Sequence, residues 1–214
     1  MSDGHASPDA KQYAPAAARN AGPICEVLGR WLPASGTILE IGSGTGQHVV
    51  AFAAAHPELS WQPSDPDPGL RASIAAWTVA EGLANLRAPL DLDVTAAGWE
   101  RALDGPLAGI VCINLVHIAP WSACEGVMAG AGALLSPGAF LYLYGPFRRG
   151  GVHTAPSNAA FDRMLRAYDP AWGVRDLEAV VDCAAGHGLD LVDLVPMPAN
   201  NLSVLLLRRA SSAP

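Results

Sequence analysis

The chain has 214 residues, of which 50% are hydrophobic and 15% charged, and its 20 acidic against 13 basic side chains give a formal net charge of -7. A chain of this size buries about 70% of its unfolded surface, which is enough for a single hydrophobic core. The acidic balance excludes the basic footprint of a DNA- or RNA-binding protein, and every apolar run is too short to span a bilayer. We therefore expect a soluble, cytoplasmic protein that binds neither nucleic acid nor membrane.

The N-terminal residues combine charge, histidine and proline and lack the apolar stretch of a signal peptide. We expect residues 1–12 to be a flexible tail and residues 13–210 to form a single domain. Four cysteines stand far apart in the sequence and form no CxxC pair: Cys25, Cys112, Cys124 and Cys183. This spacing predicts free thiols in a reducing compartment, with neither disulfides nor a zinc site.

Helical spacing of apolar residues predicts an N-terminal helix that begins near Pro23, because proline fits best in the first turn of a helix. Short β-type runs then predict strands at residues 37–41, 59–63, 86–92, 109–115, 139–144, 189–195 and 202–207. Helical patterns between them predict helices at residues 47–55, 68–81, 122–135, 158–168 and 175–187. This alternation predicts an α/β fold with a Rossmann-like, doubly wound, mostly parallel seven-stranded sheet and helices on both faces.

A glycine-rich segment, LEIGSGTGQH at residues 39–48, joins the first predicted strand to the next helix. Glycine lets a ligand approach the backbone closely, and the helix that follows presents free amide groups, so we expect a nucleotide-like ligand here. Gln47 stands where the dinucleotide fingerprint needs a small residue, and the Gly-Lys-Ser/Thr of a P-loop is absent. The alternative interpretation is a glycine-rich turn that binds nothing.

Two acidic residues extend this pattern. Glu40 precedes the glycines, and Asp65 ends the second predicted strand about 20 residues after them, where a carboxylate can accept hydrogen bonds from both hydroxyls of a ribose. The combination is similar to motif I of class I S-adenosylmethionine (SAM) methyltransferases.

The resemblance extends along the chain from Ala16 to Leu207 and is specific to one family. The sequence resembles the methyltransferase-like protein 26 family in strings that occur in the same order: LEIGSGTGQHVVAFA, WQPSD, APLDLDVT, CINLVHIAPW, LYGPF, SNAAFD, DPAWGVRD and PMPANN. It implies a SAM-dependent methyltransferase, and our first hypothesis for its substrate is a small molecule or a protein side chain.

The resemblance also implies where SAM is held. The glycine loop surrounds the methionine part of SAM, the ribose lies on Asp65, and the adenine lies near Asp93, although strand counting leaves Asp91 as an alternative. Asn114 ends the fourth strand beside the sulfonium. Two polar residues that precede the predicted start of the N-terminal helix are added to this set, so that the expected cofactor-binding residues are Arg19, Asn20, Glu40, Gly42, Ser43, Gly44, Gly46, Asp65, Asp93 and Asn114.

His117 is the best-placed candidate for a general base, since an imidazole suits proton abstraction near neutral pH, although a buried structural histidine is an equal alternative. Asn114 and Tyr144 are further catalytic candidates. Polar and aromatic residues that are expected either to line a substrate pocket or to serve as core, turn and cap residues are Trp121, Asn158, Asn200 and Asn201.

Two other functions stay open at this point: a non-catalytic SAM-binding module that acts through a partner, and a nicotinamide-dependent oxidoreductase with an altered loop. A metal centre is not expected, because the sequence has no HExxH and no Cys/His spacing of a zinc site. The oligomeric state and the acceptor atom are not determined by the sequence.

Overall fold

The structure, a computed structural model, describes residues 10–210, so that most of the predicted tail lies outside the described part. Backbone contacts divide the chain into two units, residues 1–93 and 94–214. Across the described residues, no helix combines the length and the apolar character needed to cross a membrane.

The first unit alternates helices and strands: α1 (Pro15–Leu28), β1 (Thr37–Ile41), α2 (Gln47–Ala55), β2 (Ser60–Ser64) and α3 (Pro68–Glu81). The two strands pair in parallel, with Thr37 opposite Ser60. Asp67 caps α3, because its side chain accepts hydrogen bonds from the amides of Gly69 and Leu70. The core of this unit is formed by large buried side chains, among them Ile24, Leu28, Ile38, Leu39, Phe52, Trp61 and Ile74.

Two predictions for the first unit are wrong. Helix α1 begins at Pro15, and Pro23 lies inside it. Pro15 occupies the start of the helix, where its missing N–H costs nothing, whereas Pro23 removes one hydrogen bond from the interior of the helix. The strand expected at residues 86–92 is reduced to two isolated parallel bridges, Trp61 with Leu86 and Ser64 with Leu90. Pro89 lies between the bridges and has no amide hydrogen for a continuous ladder.

The described residues of the second unit form six strands and three α-helices, which are in chain order β3 (Leu107–Ile113), α4 (Trp121–Leu134), β4 (Leu135–Gly145), β5 (Arg148–Arg149), β6 (Val152–His153), α5 (Pro156–Tyr168), α6 (Leu177–Gly186), β7 (Leu189–Met197) and β8 (Asn201–Arg208). A short 3-10 helix, Trp99–Ala102, precedes β3. Strands β3 and β4 pair in parallel, whereas β8 is antiparallel to both β4 and β7.

The pattern of burial confirms the central position expected for the fourth predicted strand, because all but one residue of β3 are buried. Among the described residues, six long strands therefore stand in place of the predicted seven: two in the first unit and four in the second. The two-residue strands β5 and β6 form a separate hairpin that the sequence did not reveal, since so short a strand carries no periodicity.

Candidate functional site

The glycine loop leaves β1 in a conformation that ordinary residues avoid. Gly42, Gly44 and Gly46 all have positive φ angles, of 67°, 55° and 90°. A Cβ atom on Gly46 would lie 3.0 Å from the backbone Cα of Ile74, so α3 packs directly against the loop. Ser43 ties the loop to β2, because its amide donates to the carbonyl of Ser64 at 2.9 Å. The loop is thus held between two elements and exposes backbone instead of side chains.

Asp65, the first residue after β2, holds this loop in place. Its Oδ2 accepts a hydrogen bond from the amide of Gly44 and its Oδ1 accepts one from the amide of Asp67, both at 3.0 Å. The residue is 6% exposed, and desolvation raises the pKa of its carboxyl group against the opposing effect of these hydrogen bonds. The carboxylate therefore already has a structural task in addition to the predicted contact with a ribose.

Glu40 is a buried acid beside the same loop. It is 1% exposed, and its Oε2 has no hydrogen-bond partner. Burial raises the pKa of its carboxyl group to about 8, while a hydrogen bond from Ser43 lowers the pKa and the charge of Asp65 raises it further. At neutral pH Glu40 is therefore mostly protonated, and an unpartnered polar atom remains available to a ligand of the loop.

The side chains of α1 and α2 meet at the start of α2. His48 Nε2 lies 2.7 Å from Asn20 Oδ1, and burial lowers the pKa of His48 to about 4. The neutral ring therefore donates to Asn20, whose oxygen is occupied by this contact. Arg19 is exposed and has no polar contact within the described residues.

Gln47 has a structural role that sequence reasoning missed. Its Oε1 accepts hydrogen bonds from the amide of Ala14 at 2.5 Å and the hydroxyl of Thr45 at 3.1 Å. These contacts join the start of α1 to the glycine loop. The signal in the sequence is an amide side chain at the first position of α2, where the dinucleotide pattern has a small residue.

The two acids proposed for the adenine differ in their surroundings. Asp91 Oδ2 is 3.1 Å from Arg71 Nη2, and Arg71 Nη1 donates to the carbonyls of Asp65 and Pro66. Asp93 is exposed. Arg71 therefore links Asp91 to the chain that follows β2, and the choice between the two acids stays a prediction.

In the second unit, Asn114 and His117 lie just beyond the carboxyl end of β3. Asn114 has a φ of 60°, which is uncommon for a residue other than glycine and is typical of functional turns. Its amide donates to the carbonyl of Tyr144 at 2.8 Å, and its carbonyl accepts from the amide of His117 at 2.9 Å. The turn therefore fixes both predicted site residues against the end of β4.

His117 is fully buried, with its ring edge-on to Phe147 at 4.7 Å between centroids. Its Nδ1 accepts a hydrogen bond from the amide of Arg175, whereas Nε2 has no partner. Burial, and to a lesser extent the charge of Arg175, lowers the pKa of His117 to about 3. The ring is therefore neutral, and because Nδ1 acts as an acceptor, the proton lies on Nε2.

Gly145 is the residue that this Nε2–H faces. A Cβ atom at this position would lie 2.5 Å from His117 Nε2 and 3.0 Å from Asn114 Oδ1. His117 Nε2 and Asn114 Oδ1 therefore both approach the backbone of Gly145, where a side chain would not fit. Tyr144, the residue before it, is 2% exposed and lies opposite Ser203 of β8.

We expect Gly145→Ala to lower the free energy of unfolding by about 1–3 kcal/mol, because the added methyl group overlaps a buried ring that has no room to move. Gly22→Ala is the matched control: Gly22 lies in α1 with open space at its Cβ position, and alanine there is expected to stabilise by about 0.5–1 kcal/mol. Urea denaturation measures both. Equal effects of the two substitutions would contradict the close approach at Gly145.

Arg175 is a second residue that sequence reasoning missed. Its Nε donates to the carbonyl of Val116 at 2.9 Å, and its Nη2 donates to Ala119 at 2.6 Å and Ala171 at 2.8 Å. With its amide on His117, Arg175 therefore fixes the whole loop after β3. The string DPAWGVRD contained the only sequence signal for this role.

The residues predicted for a substrate pocket are held by side-chain hydrogen bonds. Trp121 Nε1 donates to Glu125 at 2.9 Å, which fixes the ring at the start of α4. Asn158 is 4% exposed, and its Nδ2 donates to Thr154 Oγ1 and to the carbonyl of Asn200. Asn201 donates to the carbonyl of Pro198 within its own turn. The structure thus brings Asn158 and Asn200 together and places Asn201 at the first position of β8.

Nothing among the described residues resembles a metal centre: no group of three or more histidine, cysteine or acidic side chains is placed to hold an ion. The four cysteines are free thiols, of which Cys112 and Cys124 are buried.

Curated proteins match a limited part of the chain. The tRNA (guanine-N(7)-)-methyltransferase of Rhodopseudomonas palustris strain BisA53 is 35% identical over 83 residues, which are 39% of this chain and 31% of the relative. The protein of the same name from strain ATCC BAA-98 / CGA009 is 32% identical over 83 residues, 39% of this chain and 29% of the relative. The chain thus spans about a third of the length of these curated relatives.

Solved structures match most of the chain. An O-methyltransferase family protein from Burkholderia thailandensis aligns with a TM-score of 0.75 at 15% identity, covering 91% of this chain and 57% of its own. An O-methyltransferase family 2 protein from Planctomyces limnophilus DSM 3776, in complex with apigenin, aligns with a TM-score of 0.73 at 19% identity. This alignment covers 97% of the present chain and 63% of the Planctomyces protein. The methyltransferase CalO1 of calicheamicin biosynthesis, with S-adenosylhomocysteine bound, aligns with a TM-score of 0.68 at 15% identity, covering 90% and 54%.

At these identities the structural matches show the fold, and they confirm the predicted fold class. The family model described as "Protein of unknown function (DUF938)" matches residues 11–208, which is almost the whole chain. The chain therefore belongs to the DUF938 family and has the α/β fold of the methyltransferases.

Proposed function

We propose that this protein is a SAM-dependent methyltransferase acting on a small molecule or a protein side chain, as its resemblance to the methyltransferase-like protein 26 family implies. Residues 13–210 would form one catalytic domain in the cytoplasm. The observation that carries the proposal is the glycine loop of the first unit, where Asp65 holds the Gly44 amide and Glu40 keeps a buried, unpartnered oxygen.

The residues of the loop fit SAM. Backbone of three glycines admits the methionine part without a side chain in the way, and the unpartnered oxygen of Glu40 provides a partner for a polar group. Asp65 accepts from ribose hydroxyls through the lone pairs that its two backbone contacts leave free. Ser43 and Asp93 complete the proposed contacts, together with the side-chain NH2 of Asn20, whose oxygen is held by His48. When bound, SAM supplies a methyl group on a positively charged sulfur.

On the acceptor side, the chain's own groups hold the nucleophile in position. His117 has Nδ1 occupied by the amide of Arg175 and its Nε2 buried beside Gly145, so the proton abstraction predicted from the sequence would require Nε2 to be free of hydrogen. The side-chain amide of Asn114 orients the nucleophilic atom of the substrate. Tyr144, which is buried in β4, supports the turn through its carbonyl.

Methylation of guanine in tRNA is a second candidate, because the curated relatives carry that name. The charge balance weighs against it: an enzyme that docks on tRNA neutralises phosphates with basic side chains, and this chain has 13 of them against 20 acidic ones. Incubating the protein with tRNA and labelled SAM tests it directly.

Calorimetry tests the proposed cofactor. SAM and S-adenosylhomocysteine are expected to bind, and NAD is expected to show no heat at the same concentrations. Gly44→Asp should weaken SAM binding by at least about tenfold, since it places a negative charge opposite Asp65 where the ligand approaches the backbone.

Gly82→Asp is the matched control, because Gly82 has a similar positive φ of 63° and equally open space, but lies at the end of α3. This variant should bind SAM like the unmodified protein. Unchanged SAM affinity in Gly44→Asp, or binding of NAD in preference to SAM, would overturn the cofactor assignment.

A further inference from the structure

The hairpin of β5 and β6 begins three residues after the end of β4. Its turn, Gly150 and Gly151, has φ angles of 56° and 77°, and the turn amides donate to Glu178 and Asp176. Two acids therefore fix the tip of the hairpin. The amide of Arg148 at its base donates to the carbonyl of Arg175, the residue that also holds His117.

The two neighbouring arginines of this hairpin differ in one respect. Arg149 pairs with Glu178 at 3.3 Å, with both side chains about half exposed. The side chain of Arg148 makes no hydrogen bond or ion pair within the described part of the chain, although it is partly buried and its Nε is out of contact with solvent. A partly buried guanidinium without an acceptor is costly, and proteins usually give it one.

His153 faces Arg148 directly across the hairpin, so that the two side chains lie on one face. Its Nε2 lies 3.5 Å from Asp162 Oδ2, whereas its Nδ1 is buried and has no partner. Asp162 is itself occupied by Arg166 and by the amide of Val174. Two unpartnered nitrogen atoms, on a guanidinium and an imidazole, thus share one face of the hairpin.

We infer that Arg148 and the protonated form of His153 make a binding site for an oxyanion, a carboxylate or a phosphate, and that this group is the anionic end of the methyl acceptor. In that form His153 donates through Nε2 to Asp162 and through Nδ1 to the anion. The assignment of the oxyanion to the acceptor rests on the proposed function; the anion site itself does not. A guanidinium binds such a group through two parallel N–H donors, one of which is the Nε–H that lacks a partner here.

The surroundings support an anion over a cation. The acids near the hairpin are already engaged: Asp176 with the Gly151 amide, Glu178 with Arg149, and Asp162 with Arg166. No unengaged carboxylate is left to receive a cation on the hairpin, whereas one guanidinium is left to receive an anion. The site follows directly on the carboxyl end of β4, the edge at which α/β sheets bind their ligands.

The test is a titration of the ligand-free protein with benzoate and with inorganic phosphate, at constant ionic strength, followed through the backbone amide signals in NMR spectra. Benzamide, the neutral isostere of benzoate, is the ligand control. We expect saturable shifts at Arg148, His153 and Arg175 with at least one of the two anions and none with benzamide. Which anion binds more tightly distinguishes a carboxylate from a phosphate.

Arg148→Gln is expected to weaken anion binding by at least about tenfold, and Arg148→Lys by less, because lysine keeps the charge but not the two-pronged geometry. Arg149→Gln, one residue away, should stay within about twofold of the unmodified protein, because Arg149 already has a partner. Melting temperatures establish that each variant is folded.

Absence of saturable shifts with both anions, equal binding of benzamide, or equal losses in Arg148→Gln and Arg149→Gln would each overturn the site. Calorimetry with SAM on the same variants separates this proposal from the proposed function. Loss of anion binding with intact SAM binding supports the site, and a protein that binds the anion but not SAM retains the site while losing the assignment to a methyl acceptor.

Discussion

Asp65→Ala is expected to weaken SAM binding roughly tenfold to several hundredfold, since 1.4 kcal/mol is a factor of ten and a charged acceptor contributes about 1.5–3 kcal/mol for each hydrogen bond. The same change should lower the free energy of unfolding by about 1–3 kcal/mol, because it leaves the amides of Gly44 and Asp67 without acceptors. Asp65→Asn should lose less of both, as the amide keeps one acceptor oxygen. Calorimetry and chemical denaturation measure the two effects separately.

Asp67→Ala provides the control, two residues along the chain. The side chain of Asp67 caps α3. Its backbone amide donates to the carboxylate of Asp65, and alanine at position 67 keeps this amide. It should lose about 1 kcal/mol of stability while SAM affinity stays nearly constant. If Asp65→Ala loses only stability, as Asp67→Ala does, then Asp65 is purely structural and the proposed position of the ribose is wrong.

Glu40→Gln is expected to change how stability depends on pH. The pKa of Glu40 is raised from an ordinary value of 4.5 to about 8 by burial, so the folded protein keeps a proton that the unfolded chain has released. The stability contributed by this proton is complete below pH 4.5 and is lost as the pH rises through 8, at up to about 1.4 kcal/mol per pH unit. Glutamine at position 40 has the same shape as glutamate but does not titrate, so this loss of stability with rising pH is absent.

The range from pH 7 to 8 isolates this effect. His117 and His48 have lowered pKa values of about 3 and 4, so they destabilise the protein only as the pH falls below about 6.5 and have the opposite sign. Urea denaturation between pH 7 and 8 should show falling stability in the unmodified protein and a flatter curve in Glu40→Gln. Glu26→Gln, an exposed control, should keep the original slope. Parallel slopes in all three proteins would show that Glu40 is ionised.

The parts of the fold that were predicted correctly depend on local patterns. Strand β1, helix α2 and helix α3 lie at their predicted bounds, because alternating and helical apolar periods are written in contiguous residues. The errors arose at two prolines. Pro23 was interpreted as a helix start although a helix already precedes it, and Pro89 interrupted a run that otherwise had strand composition.

The site shows the same division. The glycine loop, Glu40 and Asp65 were recognisable because their spacing along the chain reflects a strand, a turn and a strand. The protonation of Glu40 and the tautomer of His117 could not be recognised in the sequence. Both depend on burial and on hydrogen bonds, in the case of His117 from the distant residue Arg175.

The amino-acid sequence by itself therefore determined the class of fold, the loop at the end of β1 and the acid that follows β2, because these are properties of neighbouring residues. Only the tertiary structure decided which polar atoms are left without partners. Arg148 and Arg149 stand side by side in the sequence, and nothing local distinguishes them. The folded chain gives one of them a carboxylate and leaves the other without a partner, because partners are assigned by packing between segments that lie far apart along the chain.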